Sequence, residues 1–577
     1  MSPGSLVESE DVAPPTGPGE ATPPEARWSL TINSATVFLA GVTIQLIGFI
    51  GSLFVYRAFG TNTADQALYG TVQLFLLIAS TINTLGDLRL GAGYQLFLAR
   101  GKPATANTGT YLLLRFILVG ICGALVLTVS PLSFGGSILA PTPYSLEVLG
   151  VFMVLPLLWT FETLYQNYYI GIGNSVRSQY PGLVEVIVRT PLLIFAAFAF
   201  PTLLGLAGAY LAGTIGAAIF CIPAIVPLVR RYRRSEARLL FRYSWPLLGA
   251  LGLATMVGSL IPFFVNYSLG SAALTYFNLA NGFRVLALAL PAAITTPLFP
   301  YIAALHKRSQ YHQIRDGIWT ALRYSSLLLI PGVVLLAVYR VDVITITVGG
   351  NYVVPSATPL AILVLATVPA SLGLIIGTGL AAIGWRRLEL YLTAAQISVL
   401  FGLAFALMPP YGILPASRGL DSAAIAVLGS SCVALALNAY FMHRLMAVRL
   451  FPKSILAIAA AAVLAFFAIS RANRFFPTFL DSAAAQLAIG IVVGAVVYFL
   501  AVALLGELTK EDIYRIGRSM ALPDPLLRFT ARLCWRTSSP HVVSPVNVAD
   551  VPGLTGGYIP EEDDADRSPD APLPPGR

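Results

Sequence analysis

The sequence predicts an all-α, polytopic membrane protein of about 14 transmembrane helices, arranged as two pseudo-symmetric six-helix lobes plus two C-terminal helices. Three observations lead there. Apolar residues make up 56% of the 577 positions and charged residues 11%, whereas an ordinary soluble domain carries roughly a quarter charged residues. From Ser34 to Leu505 the chain divides into apolar runs with short polar joints, and about 20 such residues cross a bilayer core. Lys and Arg gather in alternate joints, the bias that sets orientation in a membrane.

Residues 1–33 are rich in Pro, Gly and Glu and read as a disordered cytoplasmic arm, too polar to be a cleavable signal peptide. Six spans fill 34–229, at 34–58, 67–88, 107–130, 145–170, 181–201 and 203–228. A basic cytoplasmic linker, 230–244, separates them from six more in 245–446, at 245–269, 272–303, 317–341, 355–382, 387–408 and 421–445. Two further spans, 454–471 and 482–505, lie within 447–506. Residues 507–577 read as a cytoplasmic amphipathic segment followed by a disordered acidic, Pro-rich tail.

With the N-terminus inside, the cytoplasmic joints hold 16 Lys and Arg, from Arg100 to Lys453, against 5 on the other side (Arg57, Arg340, Arg418, Arg471 and Arg474). Both termini are therefore expected in the cytoplasm. Internal likeness supports two lobes. Pro201 to Gly205 closes the fifth span much as Pro410 to Gly412 closes the eleventh, and Gly60 then Tyr69 parallels Gly270 then Tyr276.

The same composition excludes several functions. The formal charge of +9 is spread among joints instead of forming one face, so nucleic acid is not an expected partner. The four Cys and four His are scattered without a metal-ligand spacing, and no Gly-rich phosphate cradle occurs. Neither metal nor cofactor is expected, and no catalytic residue is assigned.

Certain motifs are more particular: Leu85-Gly-Asp87-Leu-Arg89-Leu-Gly91 closing the second span, Leu274-Thr-Tyr276-Phe-Asn278-Leu-Ala280 opening the eighth, Pro300 near its inner end, and the Pro410-Tyr411-Gly412-Ile413 turn. In order and spacing they resemble the polysaccharide and oligosaccharide flippases of the multidrug/oligosaccharidyl-lipid/polysaccharide exporter superfamily, over about residues 30–510. The insertion Leu414–Asp421 departs from that pattern. The resemblance implies a flippase that moves a polyprenyl-phosphate- or pyrophosphate-linked oligosaccharide across the cytoplasmic membrane by alternating access. Its partners are then that glycolipid, membrane lipids, and glycosyltransferases or a polymerase of the same pathway.

A phosphate-bearing sugar head crosses about 30 Å of hydrocarbon only along a wet, cationic path. Ionisable residues inside spans are the candidates. Counted from the cytoplasmic ends, Arg115, Glu162, Arg189 and Arg323 fall roughly 9–12 Å deep, and Arg284 nearer the midplane. Arg284, Arg115, Arg189, Arg323, Glu162, Tyr165, Gln166 and Asn167 are candidate cavity residues, since guanidinium groups fork onto phosphate while aromatic rings and amides suit sugars. Glu162, Glu185 and Asp87 are candidates for ion coupling. The plainer alternative pairs Arg189 with Glu185 and Arg115 with Glu162, and lets Arg323 reach the inner headgroups.

Two other functions fit the sequence less well. A cation-coupled multidrug exporter of the same superfamily wants a carboxylate deep in the first span, which has none. A membrane-embedded glycosyltransferase wants paired acids on the first outer loop, where 60–68 offers only Asp65.

Overall fold

The computed structural model describes residues 24–87, 90–99, 104–129, 143–172, 174–229, 237–238, 240–241, 258–384, 386–409, 412–415, 418–446, 453–472 and 483–507. Among them there is no strand. The helices are α1 (Pro24–Ala58), α2 (Thr63–Asp87), α3 (Leu90–Ala99), α4 (Ala104–Val129), α5 (Pro143–Gly171), α6 (Tyr180–Ala199), α7 (Leu203–Ile225), α8 (258–269), α9 (Ser271–Lys307), α10 (Tyr311–Val338), α11 (Arg340–Thr347), α12 (Val353–Ala382), α13 (Arg386–Leu407), α14 (Gly419–Met446), α15 (Lys453–Ala472) and α16 (Ala483–Leu504). Twelve of the described helices are long and apolar enough to cross a membrane. The chain is thus an all-α, multi-pass membrane protein. Most of the basic linker, the amphipathic segment after Thr509, Arg89, Pro410 and Tyr411 lie outside the described residues.

Local chemistry sets the helix ends. Asn62 caps α2, its Oδ1 accepting the Asp65 amide at 2.8 Å while Asp65 Oδ2 accepts from Asn62 Nδ2 at 2.9 Å. Thr202 caps α7 by accepting the Gly205 amide at 3.1 Å, which explains the Pro201 to Gly205 turn. Gly412 and Ile413 donate back to Met408 and Ala406, closing α13. The boundaries differ most where α1 begins at Pro24, inside the expected arm, where α10 begins at Tyr311, six residues before the expected span, and where the short helices α3 and α11 stand apart from the spans they adjoin.

The packing order repeats. Helix α2 lies on α4 and α5, α5 on α7, and α6 on α7; six long helices later α9 lies on α10 and α12, α12 on α14, and α13 on α14. The α1–α6 contact has its counterpart in α8–α13, where Phe264 and Phe405 meet at 5.0 Å. Helices α15 and α16 pack on each other and on α10, with Tyr498 donating to the Leu327 carbonyl at 2.9 Å. Bilayer lipid is as apolar as Leu, so such contacts rest on close packing and on hydrogen bonds between helices.

The two sets of helices join along α2 and α9, flanked by α1 against α9 and α8 against α2. Their polar contacts concentrate at the end where α2 and α9 begin. Thr275 and Tyr276 donate to the carbonyl and side chain of Gln66, and Asn278 donates to Gln73 Oε1 at 2.9 Å. Nearby, Tyr352 donates to the Tyr56 carbonyl at 3.0 Å and Asn351 to that of Gly60 at 2.7 Å. Gly70 lets α2 touch the Ser271 backbone, where any Cβ would collide.

Candidate functional site

The charged candidates separate into four settings. The first is a closed network among α2, α3, α4 and α5. Arg115 is 1% exposed and sits 2.7 Å from Asp87. Its guanidinium also donates to Tyr111, Asn83 and Thr163 at 2.7 to 3.0 Å. Tyr111 donates to Asp87 at 2.8 Å and accepts from Asn167, whose Oδ1 accepts from Gln95 at 2.7 Å. Tyr94 stacks on Tyr111 and shares a 2.7 Å hydroxyl contact with Thr108. The partner of Arg115 is therefore Asp87, 28 residues away, and not Glu162. Helix periodicity could not reveal this pairing, although both charges lay in view.

The second setting lies among α5, α6 and α7, with α1 across it. Arg189 donates to Glu185 at 2.6 Å, the i,i+4 pair that spacing alone suggests, and its guanidinium lies over the Tyr210 ring at 5.5 Å. Glu162 meets the Glu185 carboxyl group and accepts from Gln166 at 3.0 Å. Gly48 of α1 passes so close that its Cβ would stand 3.6 Å from the Arg189 guanidinium. Tyr165 faces elsewhere, packed between Tyr169 and Phe220 and buried.

Arg323 occupies a third place. It donates to the backbone carbonyl of Glu507, whose carboxylate accepts from Ser454, so α10, the start of α15 and the chain after α16 are tied together. It is buried there and does not extend to a surface.

Arg284 is the fourth, and its surroundings differ in kind. It lies on α9, half-buried, six residues past Asn278 and so about 9 Å deeper along the helix than the seam. Phe49 of α1 packs on Gly282 and Phe283 beside it. Its Nη1 donates to Asn281 at 3.2 Å, its Nε is buried without a hydrogen-bond partner, and it forms no ion pair among the described residues. A cavity of about 200 Å³ between α2, α8 and α13 is lined by Leu74, Leu260, Phe263, Phe264, Asn266, Tyr267 and Phe401, and none of the candidates borders it. No group of three or more His, Cys, Asp or Glu could hold a metal among the described residues.

Sequence reasoning passed over the amides Gln66 and Gln73 and the phenols Tyr56 and Tyr352 that build the seam. Gln66 and Gln73 are amides in an apolar helix, which was the available signal; they share a face at i,i+7. Asn278 enters through the family motif, and Tyr276 through that motif and the internal repeat.

The amides and phenols of the seam, with Arg284 beyond them on α9, lie between two sets of helices that repeat one packing order. The model of the polysaccharide biosynthesis protein family matches residues 177–356. The fold is similar to that of the lipid II flippase MurJ in an inward closed conformation, at 12% identity over 84% of this chain and 99% of that one, with a TM-score of 0.66. It is also similar to an inward-facing multidrug resistance MATE family transporter of the MOP superfamily (14% identity, 70% of this chain and 97% of that one, TM-score 0.55) and to a MOP superfamily transporter from Pyrococcus furiosus (14%, 72% and 94%, 0.52). No protein of curated function matches. The family match within the exporter fold supports the recognition made from the sequence motifs, a flippase of this superfamily. These relatives are transporters and flippases, not enzymes.

Proposed function

We propose that the chain moves a polyprenyl-phosphate- or pyrophosphate-linked oligosaccharide from the inner to the outer leaflet of the cytoplasmic membrane, for surface polysaccharide or glycoprotein glycan synthesis. Residues 34–229 and 245–446 act as two lobes that open alternately, with residues 447–506 as an added pair of helices and both termini in the cytoplasm. The observation that carries the reading is Arg284, a half-buried guanidinium with no counter-charge among the described residues, just inside the seam. A buried cation of this kind is expensive unless an anion meets it during the working cycle. Its planar fork suits phosphate oxygens.

In this reading the seam closes the outer side while the phosphate head enters from the inner leaflet and reaches Arg284. The neighbouring amide of Asn281 and, once the seam parts, those of Gln73 and Asn278 offer hydrogen bonds to sugar hydroxyls. Glu162 and Glu185, two carboxyl groups in contact, are the coupling pair, because such a pair holds a proton or cation between its members. Asp87 is excluded from that role by its engagement with Arg115. Glycosyltransferases or a polymerase would supply and consume the glycolipid.

A multidrug exporter is the second reading, favoured by the likeness to a MATE transporter. Arg284 argues against cationic drugs. Cells whose only copy carries Arg284→Ala should insert the protein normally yet accumulate carrier-linked sugar on the inner face. Normal surface glycan in those cells would overturn the assignment, and drug sensitivity with intact glycan would favour the second reading.

A further inference from the structure

The joint between α9 and α10, at the far end of α9 from the seam, carries a second unmatched cation. Arg315 is 8% exposed, and both its Nε and Nη2 are buried without a hydrogen-bond partner. His306, which closes α9 and meets the Tyr311 ring at 5.8 Å, has a buried Nδ1 that is likewise unpartnered. The adjacent acid is already engaged, since Asp316 sits 3.0 Å from His312 on the exposed side.

The turn itself brings these groups together. Gln310 and Arg308 donate back to the Leu305 carbonyl and Ser309 to that of His306, with Ser309 in the left-handed region at φ 56°. This wraps the chain tightly from α9 into α10, and Ile302 and Leu305 pack with Ile314 and Ile318 in one cluster. Gln310 makes no side-chain cap to α10, so the N–H groups of its first turn face the same joint as partial positive charge. Side chains on a helix lean toward its N-terminus, which aims the Arg315 guanidinium at that first turn.

We infer that the α9–α10 joint is a phosphate site, with Arg315 as its principal ligand, the first-turn amides of α10 behind it and His306 at its side. Depth agrees with this. The 37 residues of α9 span about 55 Å, while a bilayer with its headgroups is about 40–45 Å thick. A spanning α9 therefore carries the joint out to the headgroup region or beyond it, away from Arg284. Two sources share this chemistry, a lipid headgroup and free phosphate from solution.

The test uses the full chain in detergent with two probes, labelled inorganic phosphate and labelled phosphatidic acid in mixed micelles. Saturable binding of at least one is expected. Arg315→Gln should weaken it about tenfold or more, the loss of charge-assisted hydrogen bonds, with Arg315→Lys between the two. Binding of phosphatidic acid alone marks a headgroup site, and binding of both marks one open to solution. If Arg315→Gln cannot be purified, Arg315→Lys and His306→Ala decide in its place: each must weaken the binding and shrink the rise in thermal midpoint that the ligand gives the native chain. Affinity unchanged in Arg315→Gln, or no binding and no midpoint shift with either probe, overturns the site.

Discussion

Arg115 and Arg284 are both arginines inside apolar helices, yet their surroundings assign them opposite roles. Arg115 donates to Asp87, Tyr111, Asn83 and Thr163 and is sealed from solvent. Deleting one partner of a buried charge pair strands the other, at a cost of about 3–5 kcal/mol. Arg115→Ala should therefore lower the thermal midpoint of the detergent-solubilised protein sharply, and Asp87→Asn, which retains an acceptor, should lower it less. Each arginine has a buried Nε without a hydrogen-bond partner, but Arg284 has a single hydrogen bond, to Asn281, and no ion pair among the described residues. Removing an unmatched cation relieves a burial cost, so Arg284→Ala should leave the midpoint unchanged or raise it. A large loss of stability in Arg284→Ala would reveal a counter-charge and class it with Arg115 as structural.

At the scale of elements, α2 and α9 come into backbone contact where Gly70 meets Ser271, with no room for a Cβ. Gly70→Ala should force the two helices apart at that end, and a cysteine at Gln66 should then react faster with a membrane-impermeant thiol reagent. An unchanged rate would mean that the contact gives way without parting the seam. This approach was not legible in the sequence, because nothing in the spacing of Gly70 marks what it faces. The spans themselves were legible, since hydrophobic length is a local quantity. The short helices α3 and α11 were not: Asp87 with Arg89, and Arg340 with Asp342, break the apolar runs beside them, and a hydropathy reading ends or blurs a span there. The site divides in the same way. Glu185 with Arg189 follows from one helical turn, whereas Arg115 with Asp87 and Gln73 with Asn278 join residues 28 and 205 positions apart. Only the folded chain brings those together.

For the whole molecule, in the proposed cycle, the seam sets how much work the ligand must do. The bonds from Thr275 and Tyr276 to Gln66, from Asn278 to Gln73, from Asn351 to Gly60 and from Tyr352 to Tyr56 link the two sets of helices at one end. Hydrogen bonds between membrane helices average about 0.6 kcal/mol, so a handful favours the closed arrangement by a few kcal/mol. A ligand shifts such an equilibrium only by its difference in affinity for the two forms, which for a flippase means that the sugar head must bind better once the seam opens. Weakening the seam and clamping it should then act in opposite directions. In proteoliposomes holding a chain freed of its native cysteines, Gln73→Ala should shift the population toward the outward-open form. Joining Gln73→Cys to Asn278→Cys with a short, cleavable thiol cross-linker should reduce flipping of a labelled polyprenyl-linked oligosaccharide to the protein-free rate, and cleavage should restore it. Transport that continues through the clamped seam would place the exit elsewhere and remove the reason for reading these two sets of helices as alternately opening lobes.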